Sequence, residues 1–573
     1  MADSTTSISG SSGFNVVTDD DGKIHIGKLG NGTDFDAIID AQMKAEGLNK
    51  TKLESWKTDW EKKLTTVQDL NTKFLTYRSN LSYMDTMGEF LTKKIGVTDT
   101  NVLSATPTTD AEEGIHKIEV NQLAQNHIMT QSAGVADKTA EIVPTGGSTE
   151  TLELTYGTGA DAKTMKIDVA PGTTLEGLAQ IINRHPDNAG VQAKVLYDGS
   201  KYYMQLSGKD LGADNTISIN DANTTLAGFS TGDFTEIQQA QNAELRVDGW
   251  PKGSWIESDS NAVTDAVPGI TLNLRSTGTT SIEIQNDSNA ILNHVADFLD
   301  MVNDMKSSIK ELTKYDPETK KAGLLQGDYS MSLISNLLNE VTSQHGIGFN
   351  GDTDAISTLA QLGIETDAKT GSPTFGMLTV DEEVFLKKLR EDPQSVAEFF
   401  AADGIGSTDS GDVTFSSKID GITKPGKYAV SYDVDAAGNI TNAFIGGKPA
   451  SVNGLTITAG SDTDAKGAVL TVNNLTAGSY TANLSLKQGK AGELHDALTE
   501  MTVGEKATFK VLTSNYTQMV ENLTKQISDE ETRLKTYEKN LREKYSRLDK
   551  TLAEYTSMQK TLDDQLKQLN AGD

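Results

Sequence analysis

Cysteine is absent from the 573 residues. That absence removes disulfides, thiolate metal sites and cysteine nucleophiles together. It also suits a chain that leaves the cell unfolded without redox assistance. Proline is absent from both ends, since all 11 lie between Pro107 and Pro449. Proline breaks helix interiors, so the ends can run as long helices while the middle is turn-rich. Basic charge is in deficit, with 51 Lys+Arg against 81 Asp+Glu and a net charge of −30. A chain this acidic lacks the clustered cations that phosphate backbones need, so no nucleic-acid partner is expected. No stretch approaches the roughly 18 consecutive apolar residues that span a bilayer, so no membrane insertion is expected. The first 30 residues have neither a basic head nor an apolar core, so no Sec-type signal is expected.

The acidic charge is not spread evenly. Residues 505–573 carry 12 basic and 12 acidic side chains, residues 34–86 carry 8 and 9, and residues 1–33 carry 2 and 4. Of the net −30, −27 therefore falls on residues 87–504. The charge-balanced ends are periodic. Leu512, Tyr516, Met519, Leu523, Ile527, Leu534, Tyr537, Leu541, Tyr545, Leu548, Leu552, Tyr555, Met558, Leu562, Leu566 and Leu569 recur in steps of three or four, interrupted once at Glu531. Such spacing predicts one long helix with a single apolar stripe. At the other end Leu53, Trp56, Trp60, Leu64, Val67, Leu70, Phe74, Tyr77, Leu81 and Met84 follow the same spacing. A lone amphipathic helix is marginal in water. The economical arrangement packs the two ends of the chain against each other as a stalk.

The middle reads differently. "GIHKIEVNQLAQ" (114–125) and "SIEIQ" (281–285) alternate as strands, and "KVLYDGSKYYMQLSG" (194–208) reads as a hairpin turning at Asp198-Gly199. "KIDVAPGTTLEGLAQIIN" (166–183) reads as strand, turn and short helix. Residues 286–315 predict a helix capped by Asp287 or Ser288, with Ile291, Val295, Phe298, Val302, Met305, Ile309 and Leu312 on one face. Short helices follow to about residue 403, and the stretches 428–446 and 467–486 read as hairpin-like strands of a second β-module.

Motifs with chemistry are scarce. Gly346-Ile-Gly348-Phe-Asn-Gly351 fits G-x-G-x-x-G, but it follows a helical stretch and reads as a helix-terminating loop. "DDDG" (19–22) and "DVDAAG" (433–438) lack the Gly and Glu positions of a calcium loop and read as solvated turns. The seven histidines form no pair three or four apart. No catalytic residue, cofactor or metal is expected, and the chain is not expected to be an enzyme. "LGNGTDFDAIIDAQMKAE" (29–46) has the shape of a phosphate loop. Thr33 and Asp36, however, form a T-x-x-D capping box, and Asp34 and Asp36 would repel an anion.

Taken in order, several stretches resemble one family: the bacterial flagellar filament cap protein, or hook-associated protein 2. They are "GNGTDFDAIIDAQMKAE", "GIHKIEVNQLAQNH", "VAPGTTLEGLAQIIN", "AELRVDGW…NAVTDAVPGITLNL", "GLLQGDYSMSLISNLL" and "LAQLGIETDAKTGSPTFGMLTVDEEVF". The chain departs from the family in its first 28 residues and in a long 406–500 segment. The fold class expected is α+β and multidomain, with long N- and C-terminal helices forming a coiled-coil-like stalk and mainly-β modules inserted between them. The expected divisions are a tail (1–33), N-terminal stalk helices (34–100), a β module near the stalk (101–136 and 226–285) and an outer β/α module (137–225) with a motif shared with flagellins and hook proteins. A helical segment packing on the stalk (286–405), an inserted β module (406–500) and a C-terminal coiled-coil helix (501–573) complete them.

The resemblance implies a non-enzymatic cap on the distal tip of the filament, a self-associated ring, usually a pentamer. It implies help for flagellin folding and polymerisation, and prevention of leakage. Implied partners are further copies of the chain, flagellin, hook–filament junction proteins and an export chaperone, with host mucin or glycan for members that are adhesins. Secretion would use the flagellar type III route. The interface residues expected are Phe35, Ile38, Ile39, Met43, Trp56, Trp60 and Leu64 at one end. At the other they are Leu541, Tyr545, Leu548, Leu552, Tyr555, Met558, Leu562, Leu566 and Leu569. Another flagellar axial protein, either a junction protein or flagellin, and a surface adhesin are the alternatives.

Overall fold

The computed structural model describes residues 15–18, 24–27 and 35–570, with side chains from 35 to 568. The Thr33 cap, "DDDG" and the Leu569 side chain lie outside the described residues. The chain forms two compact units. One gathers residues 1–82, 300–344 and 492–573, and the other gathers 83–299 and 345–491. The α+β class expected from sequence holds, with helices at both termini and β-sheets between them. The stretch 286–405 is divided: residues 300–344 belong with the terminal helices, and 345–405 belong with the β-rich unit.

The helical unit is built on three elements. A first helix spans Phe35–Glu46, a second spans Leu48–Leu81, and a C-terminal helix spans Thr508–Asn570. The second and C-terminal helices run antiparallel. Phe74 packs edge-on to Phe509 at 5.2 Å, and Trp60 edge-on to Tyr516 at 5.2 Å. Phe74, Val67, Leu70 and Phe509 are buried at the centre of this seam. The 288–313 helix is capped by the Asp287 carboxylate, which accepts from the backbone of Asn289 and Ala290. Within the helical unit its later turns tie to the second helix. Tyr77 donates to Asp304, and Lys73 donates to Ser308 at 3.0 Å and pairs with Asp304. Burial, and then the Asp304 bond, push the Tyr77 phenol up to about 12. Tyr516 likewise donates to Asp328, and burial pushes its phenol up.

Three apolar cores of the β-rich unit lie within its sheets. In the first, a five-stranded sheet centred on Gly114–Gln122 faces a three-stranded sheet centred on Ile270–Leu274. Alternation in "KIEV" buries Ile118 and Val120, which pack with Leu245, Leu272 and Ile282. In the second, the 191–197 and 202–208 strands form the expected hairpin. The helix Leu175–Arg184 packs beside them, capped by Thr174. The third is an eight-stranded antiparallel sheet spanning Asp403 to Gln488.

That last sheet corrects the sequence reading. Strands Gly426–Val434 and Ile440–Ile445 pair as expected. The 467–486 stretch is not a hairpin. Val469–Val472 pairs with Val413–Ser417 and Thr456–Ala459, whereas Gly478–Gln488 pairs with Gly426–Val434 and Asp403–Thr408. Eight strands share one core, and the two strands of this stretch do not pair with each other: Gly478–Gln488 finds both its partners, and Val469–Val472 one of its two, far along the chain. The G-x-G-x-x-G loop follows the helix Tyr329–Ser343, and its glycine serves packing. A Cβ on Gly348, at φ 80°, would sit 2.2 Å from the Leu486 carbonyl oxygen.

Candidate functional site

Among the described residues no three His, Cys, Asp or Glu side chains come together as a metal site. Among them, too, no helix is long and apolar enough to cross a membrane. A cleft of about 400 Å³ beside the second helix is lined by Gln68, Asn71, Glu505, Phe509 and Lys510 among others, with one carboxylate and no histidine. The feature that stands out is the stripe of the C-terminal helix.

Up to Tyr545 that stripe is mostly covered. Leu512, Tyr516, Leu523, Leu534 and Leu541 are buried, Ile527, Tyr537 and Tyr545 are half-buried, and Met519 is exposed at 43%. The first helix supplies the last part of the cover, running antiparallel along the C-terminal helix. Phe35 stacks on Tyr545 at 5.4 Å, Gln42 donates to the Tyr545 hydroxyl at 3.1 Å, and Asp36 meets Arg542 at 3.2 Å. Glu46 accepts from Arg533 at 3.1 Å, and Lys50 pairs with Glu531 at 2.9 Å. These bonds lift the Arg533 guanidinium, through Glu530 and then Glu46, and hold the Glu531 carboxyl low through Lys50. Ile39 is buried, Phe35 and Met43 are half-buried, and Ile38 is at the rim.

Beyond Tyr545 the cover ends and the stripe continues. Leu541 is 7% exposed, whereas Leu548 is 42%, Tyr555 65%, Met558 66%, Leu562 58% and Leu566 49% exposed. Leu552 is half-buried. Leu534, Leu541, Leu548, Tyr555 and Leu562 fall seven residues apart, so one coiled-coil seam runs through both halves. Leu548, Tyr555, Met558, Leu562 and Leu566 thus form an exposed row of five large apolar side chains, the kind of patch that interaction surfaces present. Trp60 and Leu64 are half-buried within the seam. Trp56 is 48% exposed and lies under Lys52, whose Nζ is 4.7 Å from the ring. Sequence reading found the stripe but not the cross-helix ion pairs. Asp36 and Arg542 are 506 residues apart, and no local pattern links them.

Comparison with known proteins bears on this arrangement. The family described as flagellar hook-associated protein 2 C-terminus matches residues 240–557, and its N-terminal counterpart matches residues 31–127. The A-type flagellar hook-associated protein 2 of Pseudomonas aeruginosa is 27% identical over 405 residues, covering 65% of this chain and 79% of that one. The flagellar hook-associated protein 2 of Campylobacter jejuni is 26% identical over 410 residues, covering 64% and 62%. The crystal structure of the flagellar cap protein FliD D1-D2-D3 domains from Escherichia coli aligns with 26% identity and a TM-score of 0.49, over 60% of this chain and 92% of that one. With more than half of its length matched by the C-terminal family alone, the chain belongs to the flagellar hook-associated protein 2 family.

Proposed function

We propose that the chain caps the distal tip of a bacterial flagellar filament, as a ring of identical subunits. The helical unit is the leg that reaches the filament, and the β-rich unit builds the plate. Cap subunits hold exported flagellin at the tip while it folds and inserts, and they stop it leaking away. Flagellin helices are the natural occupants of the seam beyond Tyr545, because such a seam accepts an amphipathic helix and needs no cofactor. The work is mechanical: legs dock, shift as a subunit inserts, and dock again. Export through the flagellar type III apparatus and an earlier contact with hook–filament junction proteins belong to the same reading.

The observation that carries this reading is the uncovered stripe from Leu548 to Leu566. Leu562→Asp together with Leu566→Asp places two charges on it at exposed positions. The variant is expected to fold as the parent does and to abolish filament extension, with flagellin monomer accumulating in the medium. Full filaments without leaked flagellin would overturn the assignment.

A further inference from the structure

The uncovered half of the C-terminal helix carries more than apolar spacing. Along the helix Thr508–Asn570, Tyr545, Leu552, Gln559 and Leu566 fall seven apart, and Leu548, Tyr555 and Leu562 each follow the first three by three residues. These are the a and d positions of a heptad, the two that face a partner helix in a coiled coil. Six of the seven are Leu or Tyr, and the seventh, Gln559, is polar and exposed. A single polar side chain at an a position costs affinity. It also selects the partner and its register, because once buried it must meet another polar group.

The flanking positions say what that partner is. Lys544, Thr551 and Met558 occupy g, and Asp549, Thr556 and Asp563 occupy e. In a parallel pair of identical helices, each g residue lies beside the e residue five places further along the other copy. Lys544 then meets Asp549, Thr551 meets Thr556 and Met558 meets Asp563, which gives an opposite-charge pair and no like-charge pair. Gln559 meets the same residue of the other copy, and one amide N–H donates to the other's carbonyl oxygen. An antiparallel pair with the same overlap sets e against e. Asp549 of one copy then meets Asp563 of the other, twice over by symmetry, and Gln559 faces Tyr555. Like charges held this close oppose association. Charge and the polar layer together favour a parallel, in-register copy.

We propose that the far half of the C-terminal helix, from Tyr545 to Leu566, pairs with the same segment of a second copy, parallel and in register at Gln559, before the leg docks. Three heptads with one polar layer make a reversible contact, so dilute subunits are single and docking on the filament releases the pair. The proposal rests on the function proposed above only for that release. Subunits of a ring are related by rotation about one axis, so equivalent helices keep the same sense along it, as a parallel pair requires.

The chain holds no cysteine, so a single introduced thiol reports its own neighbour. In the purified full-length protein under a glutathione redox buffer, Leu562→Cys is expected to form a covalent dimer at least about tenfold faster than Lys560→Cys, which lies off the seam. Gln559→Leu should tighten self-association in sedimentation equilibrium by about tenfold, because the polar layer is gone. A mixture of Leu552→Cys and Leu562→Cys that cross-links only between the two variants would overturn the proposal, since those positions meet in the antiparallel pair. So would a chain that stays monomeric as its concentration rises, with no preference for Leu562→Cys over Lys560→Cys, which leaves the seam to a foreign helix. Cross-linking is read on the purified protein and the cap reading on filament growth, so the failure of one is distinguishable from the failure of the other.

Discussion

The two halves of the C-terminal helix share a sequence pattern and differ in surroundings. From Leu512 to Leu541 the apolar stripe is mostly buried by helices of the same chain, with Met519 exposed; from Leu548 to Leu566 it is mostly exposed, with Leu552 half-buried. Apolar residues recur every three or four positions in both, with one interruption, at Glu531, in the near half. The difference teaches that an amphipathic pattern specifies that a face will be covered, and the rest of the chain specifies by what. The near half is core and contributes to folding. The far half, mostly exposed, contributes little to folding.

This comparison can be broken at several strengths. The largest effect is expected at Phe74, fully buried against Phe509. Phe74→Ala should destabilise the helical unit by about 3–5 kcal/mol, read from urea unfolding followed by helix signal. Next come matched truncations on the same seam. Leu541→Ala should cost about 2–4 kcal/mol, whereas Leu562→Ala should stay within about 0.5 kcal/mol in the free subunit. Equal costs would erase the distinction between the halves. Smaller still is Asp36→Asn, which removes the ion pair to Arg542 at the edge of the cover. It should cost about 0.2–1 kcal/mol at low salt and less at high salt.

The smallest effect concerns pH. Lys50 holds the Glu531 carboxyl below its usual value of 4.5. A carboxyl with a depressed folded value adds stability above its unfolded value, and loses it as pH falls through the folded one. The contribution should be flat from pH 6 to 8 and disappear only below about pH 4.5. Glu531→Gln should lower the melting temperature slightly and evenly from pH 6 to 8 and flatten the acid limb, so that parent and variant converge at low pH.

Much of this was legible in the sequence where the cause is local. The Ile291 to Ile309 face of the 288–313 helix is buried as its spacing requires, and Asp287 caps it. The hairpins at 194–208 and 428–446 carry their own turns and form as read. Other elements depend on distant partners. The 403–408 strand, "DGIGST", has no apolar alternation to announce it, yet it pairs with Gly478–Gln488. Its Gly406 is needed because a Cβ there would lie 2.3 Å from the Phe415 ring. The stripe of the candidate site was visible from Leu512 to Leu566. Its division at Tyr545 was not, because Phe35, at the other end of the chain, sets it.

Hydrogen exchange along the C-terminal helix, in the free subunit and on assembled filaments, tests the central claim most directly. In the free subunit, residues 508–545 should exchange at least about 100-fold more slowly than 548–566, and the gap should close once the leg is docked. Uniform protection in the free subunit, or a far half that still exchanges fast on the filament, would contradict it.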